Sequence, residues 1–146
     1  MKKTQAIQQL LNAATYFDQQ SVAYKSWGKV EVTQIAMRLD NNEIIHTQKS
    51  KSISSITDTD IVTANSDSIF SKIFTKRKKV SVILITQQEY ASQVKEEIPA
   101  ILDDQAQLLG VSVRVAKNDD DIIHSLNGRF AAVLLNGTSI CLGTSL

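Results

Sequence analysis

The chain has 146 residues, 42% apolar and 21% charged, proportions that suit one soluble globular domain over residues 1–146. Sixteen basic against fifteen acidic residues leave a net charge of +1, too small a bias to draw the chain to nucleic acid or a membrane surface. Its single cysteine, Cys141, excludes an intrachain disulfide and a cysteine-based zinc site. No apolar run approaches the roughly 20 residues that span a bilayer. After Met1-Lys2-Lys3, the glutamines at 5, 8 and 9 interrupt any signal core, so the expected location is cytoplasmic.

Ala6, Ile7, Leu10, Leu11, Ala14 and Phe17 recur at helical spacing over residues 4–18, with glutamines on the other face, and predict an amphipathic opening helix. Between Lys29 and Leu39 the apolar residues shift towards alternation, the mark of a strand. Asp40-Asn41-Asn42 is turn chemistry, and residues 43–47 read as the returning strand of a hairpin. The Ser- and Lys-rich stretch 48–55 is expected to be a loop. Thr57 to Asp60 supply turn or capping oxygens before Ile61-Val62.

Ser66 or Asp67 is placed to cap a helix over residues 68–76 that buries Ile69, Phe70, Ile73 and Phe74. Lys76-Arg77-Lys78-Lys79 closes that helix, since cations suit its negative end. The nearly unbroken apolar run from Val80 to Thr86 predicts a strand in the middle of a sheet. Residues 87–97 read as helix, broken or restarted by Pro99; a second helix follows over 100–109, with Gly110 past its end. Val111–Ala116 alternates as a half-buried strand. Asp119-Asp120-Asp121 opens a helix ending at Gly128, and two last strands, 130–135 and 139–142, flank the Asn136-Gly137 turn. Helices recur among the strands, so the fold class is α/β.

Read from the residues alone, the chemistry is sparse. A catalytic zinc needs about three converging ligands, commonly histidines, and the chain has only His46 and His124. His46 sits in a strand with no acid–base partner nearby in sequence, and His124 reads as a surface residue of a short helix. Cys141 reads as a buried, inert thiol. The run 76–79 reads as a solvated helix end, with no aromatic platform beside it to stack on bases. Trp27 is expected to plug the core or a subunit contact.

The C-terminal third is the most distinctive stretch. It runs Ile98-Pro99-Ala100-Ile101-Leu102-Asp103-Asp104-Gln105-Ala106-Gln107, ends a helix at Gly110, and continues into Ala132-Val133-Leu134-Leu135 and Cys141-Leu142-Gly143. This order of elements resembles the class II aldolase/adducin family. The likeness is strongest over residues 98–146, moderate over 67–86 and weakest over 1–61. It implies a single three-layer α/β domain with a mostly antiparallel central sheet flanked by helices, shortened at its C-terminus. Family members are commonly oligomers, which makes a homo-oligomer the expected state.

What the resemblance implies for a site is mixed. The family's metal-binding His-x-His pair falls on Leu84 and Thr86, and its third histidine on Asn136, so no metal residues are expected here. The family's acid/base segment is matched in outline by Asn65-Ser66-Asp67-Ser68-Ile69-Phe70-Ser71, which puts Asp67 in the catalytic position, although a helix cap explains it as well. The family's phosphate-binding segments fall on Trp27-Gly28-Lys29 and on residues 47–52. There Lys29, Lys49 and Lys51, with the hydroxyls of Ser50 and Ser52, are candidate ligand-binding residues.

Three functions are compatible with these residues. One is a non-catalytic protein that binds a small anionic, sugar-phosphate-like ligand or a protein partner, with no cofactor. Another is a sugar-phosphate aldolase or epimerase with an altered site, which would use Asp67 and a divalent metal such as zinc. The third is a structural subunit that assembles with a complete paralogue.

Overall fold

A computed structural model of the chain describes residues 2–23, 30–88, 98–99, 112–126, 131–134 and 138–143. In chain order the elements are α1 (Lys3–Ala23), β1 (Val30–Arg38), β2 (Ile44–His46), β3 (Val62–Thr63), α2 (Ile69–Lys76), β4 (Val82–Gln88), β5 (Ile98–Pro99), β6 (Ser112–Ala116), α3 (Asp119–Ser125), β7 (Ala131–Leu134) and β8 (Thr138–Gly143). Short 3₁₀ turns at Ile53–Ser55 and Asp58–Asp60 lie between β2 and β3.

The strands form one sheet in the order β3-β2-β1-β4-β8-β7-β6-β5. Every pairing is antiparallel except β6 with β7, which α3 connects as a parallel crossover. The apolar strand predicted from residue 80 is β4, and it does sit centrally, between β1 and β8. This is an α/β fold with a mostly antiparallel sheet.

Alternation along the strands divides the core in two. Ile35, Met37, Ile45 and Val82 point to one face, where Ala6, Leu10 and Ala14 of α1 cover them. Ala36, Ile83, Ala132 and Ile140 point to the other, against Phe70, Ile73 and Phe74 of α2 and Ile122 and Leu126 at α3. The cross-strand pairs Ile35–Leu84 and Ala36–Ile83 keep both faces in register, as the two-residue period of a strand requires. The hairpin between β1 and β2 closes where the acid–amide triplet predicts. Asn42 takes a φ of 67°, a left-handed conformation that asparagine tolerates, and Asn41 Oδ1 accepts the Glu43 N–H at 3.0 Å.

Three expectations need correction. Gln87 and Gln88 continue β4 rather than opening a helix, because Gln87 pairs with Glu31 on one side and Thr138 on the other. Ile98 and Pro99 pair with Val113 and Ser112 at the end of the sheet; a proline fits an edge strand, where its missing N–H costs no ladder bond. The opening helix runs to Ala23, beyond the predicted residue 18. The rest of the helix predicted over 87–97, the helix predicted over 100–109, Gly110, Trp27, Gly128 and the Asn136-Gly137 turn lie outside the described residues.

Candidate functional site

The Ser- and Lys-rich loop leaves β2 through Thr47, whose side chain is fully buried and pins the strand end. Thr47 Oγ1 accepts the Ile35 N–H at 3.0 Å, and the Thr47 N–H donates to the Ile35 carbonyl at 3.0 Å. Gln48 then ties the loop to the second 3₁₀ turn, its Nε2 donating to the Asp60 carbonyl at 3.1 Å. Lys49, Ser50, Lys51 and Ser52 are all exposed. Lys51 Nζ stands 4.0 Å from Asp60 Oδ1, and Ser52 Oγ accepts from the Ser54 N–H as the cap of the first 3₁₀ turn. Two of the four candidate groups therefore already have local partners. Lys29, the fifth, lies outside the described residues.

Asp67 sits in the turn that leads into α2, exposed to solvent. It is not the helix cap: Ser68 is, with its Oγ accepting the Phe70 N–H at 3.2 Å. Asn65 organises the turn, its Oδ1 accepting the Asp67 N–H at 3.0 Å and its carbonyl accepting Ser71 Oγ at 2.6 Å. These bonds leave the Asp67 carboxyl in water. Among the described residues no hydrogen bond or ion pair joins Asp67 to residues 49–52, so the structure does not gather the candidates into one pocket.

The strand positions that the resemblance assigns to metal ligands can be tested for fit. Leu84 and Thr86 share the α1 face of β4; Leu84 packs into the apolar cluster there, and Cys141 stands opposite it on β8. A hydrocarbon supplies no lone pair and a neutral hydroxyl is a poor zinc ligand, so this pair does not fit the metal. Asn136 lies outside the described residues. Among those described, no three His, Cys, Asp or Glu side chains gather in a group that could hold a metal ion. Cys141 is half-buried rather than fully enclosed, and burial pushes its thiol pKa up.

Two side chains matter more than their sequence context suggests. His46 is half-buried on the α2 face, its ring centroid 4.9 Å from that of Phe70. Its Nδ1 lies 2.7 Å from the Thr47 carbonyl, which can only accept, so Nδ1 carries the proton. Arg38, at the end of β1, spreads its guanidinium over the carbonyls of Phe74, Arg77, Lys78 and Val80. It closes the C-terminal end of α2, a role hidden in the sequence because donor and acceptors are 36 to 42 residues apart.

Neither a family model nor a curated protein sequence matches this chain. Its fold does match solved structures. An L-fuculose 1-phosphate aldolase superposes with a TM-score of 0.81 at 16% identity, over 100% of this chain and 78% of its own. A sugar-phosphate aldolase from Thermotoga maritima gives 0.70 at 11% identity, over 98% and 86%. The L-fuculose-1-phosphate aldolase from Thermus thermophilus gives 0.67 at 13% identity, over 92% and 80%. At such low identity the likeness establishes a fold, and a fold does not carry chemistry with it. No helix among the described residues is long and apolar enough to cross a membrane.

Proposed function

We propose that this chain is a non-catalytic, class II aldolase-like protein that binds a small anionic ligand of the sugar-phosphate kind. What supports the reading is an aldolase-like fold, matched over 78% of the aldolase chain, together with Leu84 and Thr86 at the strand positions where the sequence resemblance puts metal ligands. Without a metal, an exposed Asp67 has no polarised carbonyl to work against, because an enediolate needs a cation or a set of fixed donors to hold its charge. We read residues 1–146 as a single domain, with the two cores as the interfaces of three layers, acting in the cytoplasm. We expect a homo-oligomer, with further copies of the chain as its partner.

The test is a thermal-unfolding series with L-fuculose 1-phosphate, zinc, manganese and cobalt, run beside metal analysis of the purified protein. A melting temperature that rises with the sugar phosphate alone supports the reading. Stoichiometric metal, or a rise with zinc accompanied by cleavage of the sugar phosphate, overturns it in favour of an aldolase with an altered site. A response to none of them, with co-purification of a longer paralogue, overturns it in favour of a structural subunit.

A further inference from the structure

We propose that the C-terminal half of α2 and the turn after it form a binding site for a small polyanion carrying two or more phosphate-like groups. This rests on the reading of the chain as a small-anion binder, and places the strongest electrostatic contact away from residues 49–52.

The first observation is charge segregation. Residues 66–82 carry Lys72, Lys76, Arg77, Lys78 and Lys79 against one acid, Asp67, although the whole chain is nearly balanced. The four lysines are exposed. Among the described residues the surface ion pairs are Lys3–Glu43 and Lys51–Asp60, and no carboxylate engages the four lysines.

The second observation is shape. Two hollows adjoin one another and share Thr75 in their walls. One, of about 300 Å³, has Lys72 and Lys76 at its side; the other, of about 380 Å³, has Arg38, Asn42 and Lys78. Two of the hydroxyls lining the hollows are committed, since Ser71 Oγ donates to the Asn65 carbonyl and Thr75 Oγ1 to the Ser71 carbonyl. The ammonium groups and the Asn42 amide are left to meet a ligand. Each hollow offers cationic contact for one anionic group, and a ligand that bridges them gains from holding both ends at once.

The C-terminal end of a helix ordinarily repels an anion. Here that obstacle is lessened, at one carbonyl of the helix and in the turn after it. Arg38 covers the carbonyls of Phe74, Arg77, Lys78 and Val80, and Arg77 donates to the Leu126 carbonyl. A single-stranded nucleic acid fits the surface less well, because Phe74, the aromatic ring at this end of the helix, is buried and presents no face for a base to stack on.

Calorimetric titration at low salt tests the proposal, with inorganic tripolyphosphate and orthophosphate as probes. The parent chain is expected to bind tripolyphosphate at least about tenfold more tightly than orthophosphate. Lys76→Gln/Lys78→Gln is expected to weaken tripolyphosphate binding by about tenfold or more, while Lys49→Gln/Lys51→Gln leaves it within about twofold. Both pairs are exposed, so unchanged melting temperatures will show that the fold is intact. If the loop variant abolishes binding and the α2 variant does not, this proposal is overturned and the small-anion reading stands. Should the parent bind neither these probes nor L-fuculose 1-phosphate, both fall. A DNA duplex that binds more tightly than tripolyphosphate, and is lost on the same α2 substitutions, also overturns it.

Discussion

Arg38 holds Phe74 in two ways: its Nη1 donates to the Phe74 carbonyl at 2.8 Å, and its guanidinium carbon lies 5.1 Å from the centre of the Phe74 ring. Sheet and helix are joined by one side chain, which satisfies carbonyls that a helix end would otherwise leave without partners. Arg38→Met keeps the aliphatic stem and removes every donor. It is expected to destabilise the fold by about 2–4 kcal/mol in urea unfolding, given the cost of stranding carbonyls that bonded a charged group. Lys at this position should recover only part of the loss, since a single ammonium cannot span four carbonyls.

Ser68 and Asp67 separate a structural role from a chemical one. Ser68→Ala removes the cap of α2 and should cost about 1 kcal/mol, read as a lower urea midpoint with an unchanged slope. Asp67→Ala should change stability by less than about 0.5 kcal/mol, because the carboxyl is exposed and caps nothing. If Asp67→Ala proves the more damaging of the two, the assignment of the cap to Ser68 is wrong.

Acid sensitivity has one identified source at the surface. The hydrogen bond from Lys3, reinforced by its charge, lowers the Glu43 pKa below its ordinary 4.5, with Thr63 and Asn41 contributing further bonds. A lowered carboxylate pKa means stability that is present above the ordinary value and is lost as the pH falls through the native one. Lys3→Gln should therefore flatten stability against pH below about 4.5, with the two proteins converging at the acid end. Unfolding midpoints measured from pH 6 down to pH 3 check this; parallel curves would show that the pair is unlinked to folding.

Much of the fold was legible because it depends on local pattern. The alternation around Ile35, Ala36 and Met37, the apolar run of β4 and the Asn41-Asn42 turn all follow from backbone period and turn chemistry. Pro99 reads locally as a helix breaker, but its role depends on Ser112, a strand partner 13 residues away, and not on its neighbours. Ser66, Asp67 and Ser68 are equally good capping residues in sequence; the backbone angles at Ser68 and its bond from the Phe70 N–H single it out. Arg38 left no local trace at all. The candidate anion ligands stand out in sequence by residue type alone, which does not reveal that Ser52 caps a 3₁₀ turn or that Lys51 faces Asp60.

The buried Thr47 makes the sharpest prediction about the loop that carries residues 49–52. The main-chain ladder between β1 and β2 reaches its last pair at Ala36–His46, and Thr47 Oγ1 supplies the next acceptor, for Ile35 N–H. Thr47→Val has nearly the same shape but leaves that amide unpaired in a fully buried strand, a loss of about 1–3 kcal/mol. Thr47→Ser keeps the oxygen and should cost less, since it gives up only one buried methyl, worth about 1 kcal/mol. Amide exchange at Ile35 provides a local readout, and it should accelerate in the valine variant far more than in the serine variant. Equal acceleration in both would mean that packing by the methyl, and not the hydroxyl bond, fastens the loop to the sheet.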